Sequence, residues 1–133
     1  MTRASHSFDL PRLFGALADP TRLRLLNLMH GREVCVCYFV EILKQSQPKI
    51  SRHLAYLRRA GIVAARRDGK WMHYRIERPA DERAASILDA TLKSLTADRA
   101  MQADLARLSK ACCAPQRFVA LQGAPLPANL AAT

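Results

Sequence analysis

Apolar residues recur at helical spacing in the first third of the chain and predict three short helices. The first lies between Leu10 and Leu17. Asp19, followed by proline, is a favourable N-cap for a second helix that ends at His30. A third helix is predicted to begin near Cys35 and to run through Leu43. This part of the chain therefore indicates a helical domain.

A further amphipathic segment carries both a start and a stop signal for a helix. Ser46 is a favourable cap, Pro48 is tolerated in the first turn, and Gly61 follows the segment. Its inward face, at positions i, i+4 and i+7, consists of Ile50, Leu54 and Leu57. Because this helix follows the third after a short connection, the two predict a helix-turn-helix.

Asp68-Gly69 is a strong hairpin signal between two short strands, from Val63 to Arg67 and from Lys70 to Ile76. In the second strand apolar and polar positions alternate, so one face is expected to pack and the other, which carries Trp71, His73 and Arg75, to meet solvent or DNA. A hairpin directly after a helix-turn-helix predicts a wing.

Pro79 opens a final helical region that Pro115 ends. Its apolar stripe is long for so small a domain, so we expect a partner subunit to cover it, with dimer contacts at Leu88, Leu92 and Leu95. The predicted fold is mainly α with a β-hairpin wing: a winged helix-turn-helix that forms a homodimer. Residues 1–111 are expected to form the DNA-binding and dimerisation domain, and residues 112–133 the second cysteine pair and a flexible tail.

The net charge of the chain indicates what kind of partner it binds. The chain has 133 residues and a formal net charge of +10, which is typical of proteins that bind nucleic acid. No apolar stretch reaches transmembrane length, about 18 residues, and no signal peptide is recognisable, so we expect a cytoplasmic protein without a membrane partner.

The outward face of the predicted recognition helix and the hairpin tip are rich in side chains that contact bases or phosphates. Glutamine reads adenine edges, arginine and lysine read guanine or contact phosphate, and serine suits either kind of contact. Arginines farther along the helix and on the wing suit phosphates. The predicted contacts to double-stranded operator DNA are Gln47, Lys49, Ser51, Arg52, His53, Tyr56, Arg58, Arg66, Arg67 and Lys70.

All cysteines of the chain occur in two close pairs, Cys35 with Cys37 and Cys112 with Cys113. In a reducing compartment, paired thiols indicate metal or redox chemistry more often than structural disulfides. If Cys35 and Cys37 both lie on a regular helix, they point about 200° apart and can share one soft ion only if that turn loosens.

Four segments together resemble the arsenic-responsive branch of the ArsR/SmtB repressors. They run from Ala18 to Arg22, from Glu33 to Cys37, from Gln45 to Leu54 and from Gly69 to Arg75. The resemblance covers roughly residues 10–110. It implies a homodimeric repressor that leaves its operator when arsenite or a trivalent organoarsenical binds cysteine thiolates, with no organic cofactor.

The sequence departs from those repressors in the thiol segment. They carry Cys-Val-Cys-Asp-Leu-Cys, whereas Tyr38, Phe39 and Val40 follow the pair here. A missing third ligand could come from Cys112 or Cys113, of this subunit or the other. Alternatively, the C-terminal pair forms its own site, or two thiols suffice for a monosubstituted organoarsenical.

The residues are compatible with two other functions, and they disfavour catalysis. A repressor of the same fold could sense thiol oxidation, or the thiols could belong to a protein that sequesters arsenicals. Catalysis is not expected, because the sequence contains no glycine-rich phosphate loop and no G-x-S-x-G nucleophile motif.

Overall fold

A computed structural model of the protein describes residues 8–113, 121 and 123–130. The order of elements is α1 (Leu10–Leu17), α2 (Pro20–Met29), β1 (Arg32–Cys35), α3 (Val36–Leu43), α4 (Gln47–Arg59), β2 (Val63–Asp68), β3 (Trp71–Ile76), α5 (Glu82–Leu95), α6 (Arg99–Cys113) and β4 (Ala128–Asn129). The predicted winged helix-turn-helix is confirmed: α3 and α4 form its core, and β2 and β3 form the wing.

Capping carboxylates fix the starts of several helices. Asp9 accepts a hydrogen bond from the backbone N–H of Arg12 at 3.1 Å, and Asp19 accepts one from that of Arg22 at 3.0 Å. These bonds satisfy amides that have no partner within the helix. Helix α4 begins at Gln47 as predicted, although the Ser46 side chain makes no capping hydrogen bond.

The sheet is antiparallel, in the order β2-β3-β1-β4. The hairpin is confirmed, with Gly69 in its turn at a φ of 61° that favours glycine. The two other strands were not predicted. Strand β1 pairs with β3 through Val34–Tyr74 and Cys35–His73, and β4, in the C-terminal tail, pairs with β1 through Arg32–Asn129 and Glu33–Ala128.

The predicted exposure of one face of β3 is wrong for His73. Its side chain is buried, because β3 is a central strand and His73 lies between Cys35 on β1 and Arg66 on β2. Alternation of residue types reveals two faces of a strand, but it does not reveal which neighbours cover them.

The three leucines predicted at a dimer contact, Leu88, Leu92 and Leu95, are all buried within the core of this chain. Helix α5 packs against α2, and this packing buries the three leucines. Their role as dimer contacts and the division between residues 1–111 and 112–133 stay predictions.

The final helical region consists of two helices, and α6 starts after Asp98. The Asp98 side chain accepts a hydrogen bond from the backbone N–H of Met101 at 3.1 Å. Helix α6 packs against α2 and α3. None of the helices among residues 8–113 is both long and apolar enough to cross a membrane.

A candidate thiol site beside a candidate DNA-binding surface

The sulfur atoms of Cys35 and Cys37 lie 3.1 Å apart. Cys35 is the last residue of β1 and the N-cap of α3, with an extended backbone at φ −70° and ψ 143°. The expected helical separation of the two side chains is therefore wrong, because only Cys37 lies on the helix. Bonds from thiolate sulfur to a soft metal ion are about 2.3 Å long, so one ion can bridge both sulfurs without unwinding α3.

The two thiols are electrostatically unequal. Cys37 donates its S–H to the sulfur of Cys35, and this hydrogen bond lowers the pKa of Cys35 to about 7. The same hydrogen bond raises the pKa of Cys37, and burial raises it further. Near neutral pH Cys35 is therefore partly ionised, with its thiolate accepting the S–H of Cys37, and the thiolate is the form that binds soft ions.

Tyr38 follows the thiol pair and is fully buried. Burial raises the pKa of Tyr38 to about 12, and the charges of Cys112, Cys37 and Cys35 contribute to the rise in that order. The hydroxyl is therefore neutral near pH 7 and lies within electrostatic reach of both the Cys35–Cys37 pair and Cys112.

Cys112 lies near the end of α6 and borders a cavity of about 330 Å³. The cavity is also lined by Arg32, Leu105, Leu108, Ser109, Pro127 and Asn129, so the C-terminal segment forms one of its walls. The side chain of Cys113 lies outside the described residues. Within the part of the chain that is described, no three cysteine, histidine or acidic side chains gather closely enough to hold one metal ion.

The thiol pair is joined to the wing through β1. Cys35 pairs with His73 on β3, and Glu33, two residues before Cys35, is bound by the wing residue Arg66 at 2.7 Å. The hydrogen bond from Arg66 lowers the pKa of the buried Glu33 carboxyl, so Glu33 is ionised at neutral pH. The role of Glu33 was not predicted, because it depends on the unpredicted strand β1.

The structure divides the predicted DNA contacts on α4 into two groups. Gln47, Lys49, Arg52 and Arg58 are exposed, and Ser51 is half-buried. His53 and Tyr56 are also half-buried, and both face Arg22 of α2. The exposed group supports a surface that can enter a DNA groove, whereas His53 and Tyr56 are placed to hold α4 against the domain.

Arg22 is a residue whose role sequence analysis missed. It donates hydrogen bonds to the carbonyl oxygens of Gly15 at 2.9 Å and Ala16 at 3.0 Å. Its guanidinium lies 4.2 Å from the ring centroid of Tyr56 and 3.2 Å from Nδ1 of His53. Arg22 therefore ties the end of α1 to the inner face of α4, and the segment from Ala18 to Arg22 was its only signal.

On the wing, Arg67 and Lys70 are exposed beside the turn, and Lys70 lies 5.0 Å from the ring centroid of Trp71. Arg66 is exposed as well, but its guanidinium is held by Glu33. Arg67 and Lys70 can therefore turn towards phosphates, whereas Arg66 links β2 to β1.

The family described as bacterial regulatory protein, arsR family, matches residues 19–65. The arsenical resistance operon repressor of Escherichia coli (strain K12) is 51% identical over 85 residues, which are 62% of this chain and 73% of that protein. The chain belongs to the ArsR family. The arsenic resistance transcriptional regulator ArsR1 of Pseudomonas putida is 43% identical over 100 residues, 71% of this chain and 78% of that protein. The match to the crystal structure of AntR, an antimony-specific transcriptional repressor, covers 71% of this chain and 83% of the AntR chain. Its TM-score is 0.53 and the sequence identity is 28%.

Membership in the ArsR family places the chain among DNA-binding transcriptional regulators and not among enzymes. The matched residues run from the cap of α2 to the first residues of β2. They include the thiol pair and all of α4, while α6, Cys112 and β4 lie outside them. The resemblance inferred from short motifs is confirmed for the family.

Proposed function

We propose that this chain is an arsenic(III)-responsive repressor that leaves its operator when a trivalent arsenical binds Cys35 and Cys37. The observation that carries the proposal is the 3.1 Å separation of the two sulfurs at the junction of β1 and α3. The Escherichia coli and Pseudomonas putida relatives, named for arsenical and arsenic resistance, support it. The cytoplasm, where thiols stay reduced, is where such a site would work.

Trivalent arsenic suits this pair chemically. Arsenic(III) is thiophilic, and each thiol that binds it replaces one hydroxyl group and releases one water. With its pKa at about 7, Cys35 is partly thiolate at neutral pH and bonds arsenic first, and the hydroxide that leaves takes up a proton from solvent. Cys37 forms the second bond, and its proton leaves with the second hydroxyl as water. Cys112 and Cys113 stay a prediction as additional ligands.

The position of the thiol pair can couple ion binding to operator binding. Cys35 ends the strand that pairs with the wing, and Cys37 lies in the first turn of α3, which packs against the recognition helix α4. An ion that bonds both sulfurs replaces the hydrogen bond between them with two bonds that tie the end of β1 to the first turn of α3. This cross-link would shift the balance between arrangements of the wing and the helix-turn-helix, whose relative placement sets the fit to DNA.

Operator binding would use a homodimer, as helix-turn-helix proteins bind two half-sites one helical turn apart. A groove of about 450 Å³ between α1, α2 and α5 supports a second subunit there. It is lined by Phe14, Leu17, Leu23, Ile87 and Leu95, and Phe14 is 53% exposed. This groove, which includes Leu95 but not Leu88 or Leu92, is the proposed dimer surface.

The proposal is tested by titrating operator release with arsenite, methylarsenite, antimonite and cadmium for the wild type, Cys35→Ser, Cys37→Ser and Cys112→Ser. Cys35→Ser and Cys37→Ser should bind the operator as the wild type does but no longer release it, because a hydroxyl is a hard and poorly ionised ligand. If Cys35→Ser responds normally and Cys112→Ser does not, the sensing site lies in the C-terminal pair and the proposal is wrong.

Thiol oxidation is a second candidate function, and the same 3.1 Å separation favours it. A disulfide needs the sulfurs at about 2.05 Å, so a modest approach would close the bond. Operator release by a mild oxidant, reversed by dithiothreitol and absent in Cys37→Ser, would identify a redox sensor. Release by arsenite under strictly reducing, oxygen-free conditions would identify an arsenical sensor instead.

A further inference from the structure

The hydroxyl group of Tyr38 has no hydrogen-bond partner among the described residues, although the side chain is 0% exposed. Burying a hydroxyl without a partner is unfavourable, and native proteins usually avoid it. Phenylalanine would fill the same space without this penalty. Tyr38 follows Cys37 directly in the first turn of α3, and its hydroxyl lies within electrostatic reach of Cys112, Cys37 and Cys35, in decreasing order. An unpaired polar atom at that place indicates a partner that arrives with a ligand.

The chemistry of the proposed ligand supplies such a partner. Arsenite is As(OH)₃, and two thiols convert it to (RS)₂As–OH with release of two waters, so one hydroxyl stays on arsenic. Relatives with a third cysteine can replace that hydroxyl as well, but Val40 occupies the position here. The third position on arsenic is therefore left to oxygen, at a thiol pair that Tyr38 directly follows in the chain.

We propose that the Tyr38 hydroxyl forms a hydrogen bond with the hydroxyl retained by arsenic(III) bound to Cys35 and Cys37. This inference rests on the proposed function and refines it, since it makes Tyr38 a specificity-determining residue of a site with two sulfur ligands and one oxygen ligand. A monosubstituted organoarsenical, R–As(OH)₂, loses both hydroxyls to the two thiols. The Tyr38 hydroxyl therefore has no arsenic-bound hydroxyl to bond with and does not strengthen the binding of the organoarsenical.

Tyr38→Phe tests the inference because it removes only the oxygen. Binding of arsenite and of methylarsenite is measured by calorimetry and by operator release. The variant should bind arsenite about two- to tenfold more weakly, the effect of one hydrogen bond, and should bind methylarsenite as the wild type does. Its melting temperature without ligand should equal or exceed that of the wild type, because the unpaired hydroxyl is gone.

Tyr74→Phe is the matched control, since Tyr74 is also buried and its ring lies 6.4 Å from that of Phe39. It should leave the preference between the two arsenicals unchanged. Unchanged arsenite affinity in Tyr38→Phe, an equal loss for both arsenicals, or a lower melting temperature would each overturn the inference. Loss of arsenite binding in Cys112→Ser but not in Tyr38→Phe would assign the third position to a thiolate. Arsenite binding that survives Cys35→Ser would instead reject the proposed function, so the two failures are distinguishable.

Discussion

Cys35 lies directly opposite His73 in the antiparallel pair of β1 and β3. The residue that carries the more acidic thiol is therefore also a pairing residue of the wing, and Cys37, its hydrogen-bond partner, lies in the helix that supports α4. This arrangement places the proposed ion-binding pair on the boundary between the wing and the helix-turn-helix.

The pH dependence of ion binding should follow the Cys35 thiol. Its pKa is lowered to about 7, so the thiolate is present above that pH and is lost as the pH falls through it. Arsenite binding should weaken over the same range. Replacing the S–H donor in Cys37→Ala should raise the pKa of Cys35 towards about 8.5, the value of an ordinary thiol, as followed by thiolate absorbance. An unchanged titration in Cys37→Ala would contradict the hydrogen bond from Cys37 to the Cys35 thiolate.

Arg52 and Lys70 should contribute differently to operator binding. Arg52 is exposed on α4, and Arg52→Ala should weaken specific binding by about 1–3 kcal/mol, the range for a side chain that reads a base. Lys70→Ala should weaken binding to all sequences alike and reduce the salt dependence, as loss of a phosphate contact does. Fluorescence anisotropy at several salt concentrations measures both. Arg99→Ala, an exposed arginine on α6, serves as the control and should leave both quantities unchanged.

Phe14→Glu should produce monomers that bind the operator weakly. The side chain is 53% exposed at the groove between α1 and α5, so a charge there leaves the fold intact and opposes burial by a second subunit. Light scattering and circular dichroism measure mass and folding. Leu126→Glu, at a residue 57% exposed outside the groove, is the matched control and should leave the dimer intact. A dimeric Phe14→Glu protein would place the interface elsewhere.

Asp104→Asn should destabilise the fold by about 3 kcal/mol, the lower end for removing one partner of a buried ion pair. Asp104 is 1% exposed and accepts hydrogen bonds from Arg24 at 2.8 and 3.0 Å and from Arg107. Urea unfolding measures the loss. Asp89→Asn, at an exposed pair with Arg78, should cost under about 1 kcal/mol.

The same carboxyl should govern part of the acid stability. Burial by itself raises the pKa of Asp104, but the hydrogen bonds from Arg24 and Arg107 outweigh it and hold the pKa below its usual range. Its contribution is therefore full above the unfolded-state pKa, about 3.9, and is lost as the pH falls through the folded-state value. The wild type should lose stability more steeply in acid than Asp104→Asn, and parallel curves would exclude this role.

Local signals predicted the helices and the hairpin because capping and turn chemistry act over a few residues. Asp19 caps α2, and Gly69 occupies the hairpin turn, as their neighbours along the chain indicate. Strand β1 escaped prediction because four residues before a helix carry no clear alternation. Because β1 was not predicted, Cys35 was assigned to the helix. The thiol site was therefore expected to need a distortion of that helix.

The sequence by itself determined the family, the winged helix-turn-helix, the two thiol pairs and the basic face of α4, because motifs, spacing and charge are local properties. Tertiary structure alone decided that the sulfurs of Cys35 and Cys37 meet, that Leu88 belongs to the core and that the Tyr38 hydroxyl has no hydrogen-bond partner among the described residues. These facts depend on which distant segments pack together. Burial and hydrogen-bond partners are properties of the assembled neighbourhood, and periodicity along a chain does not encode them.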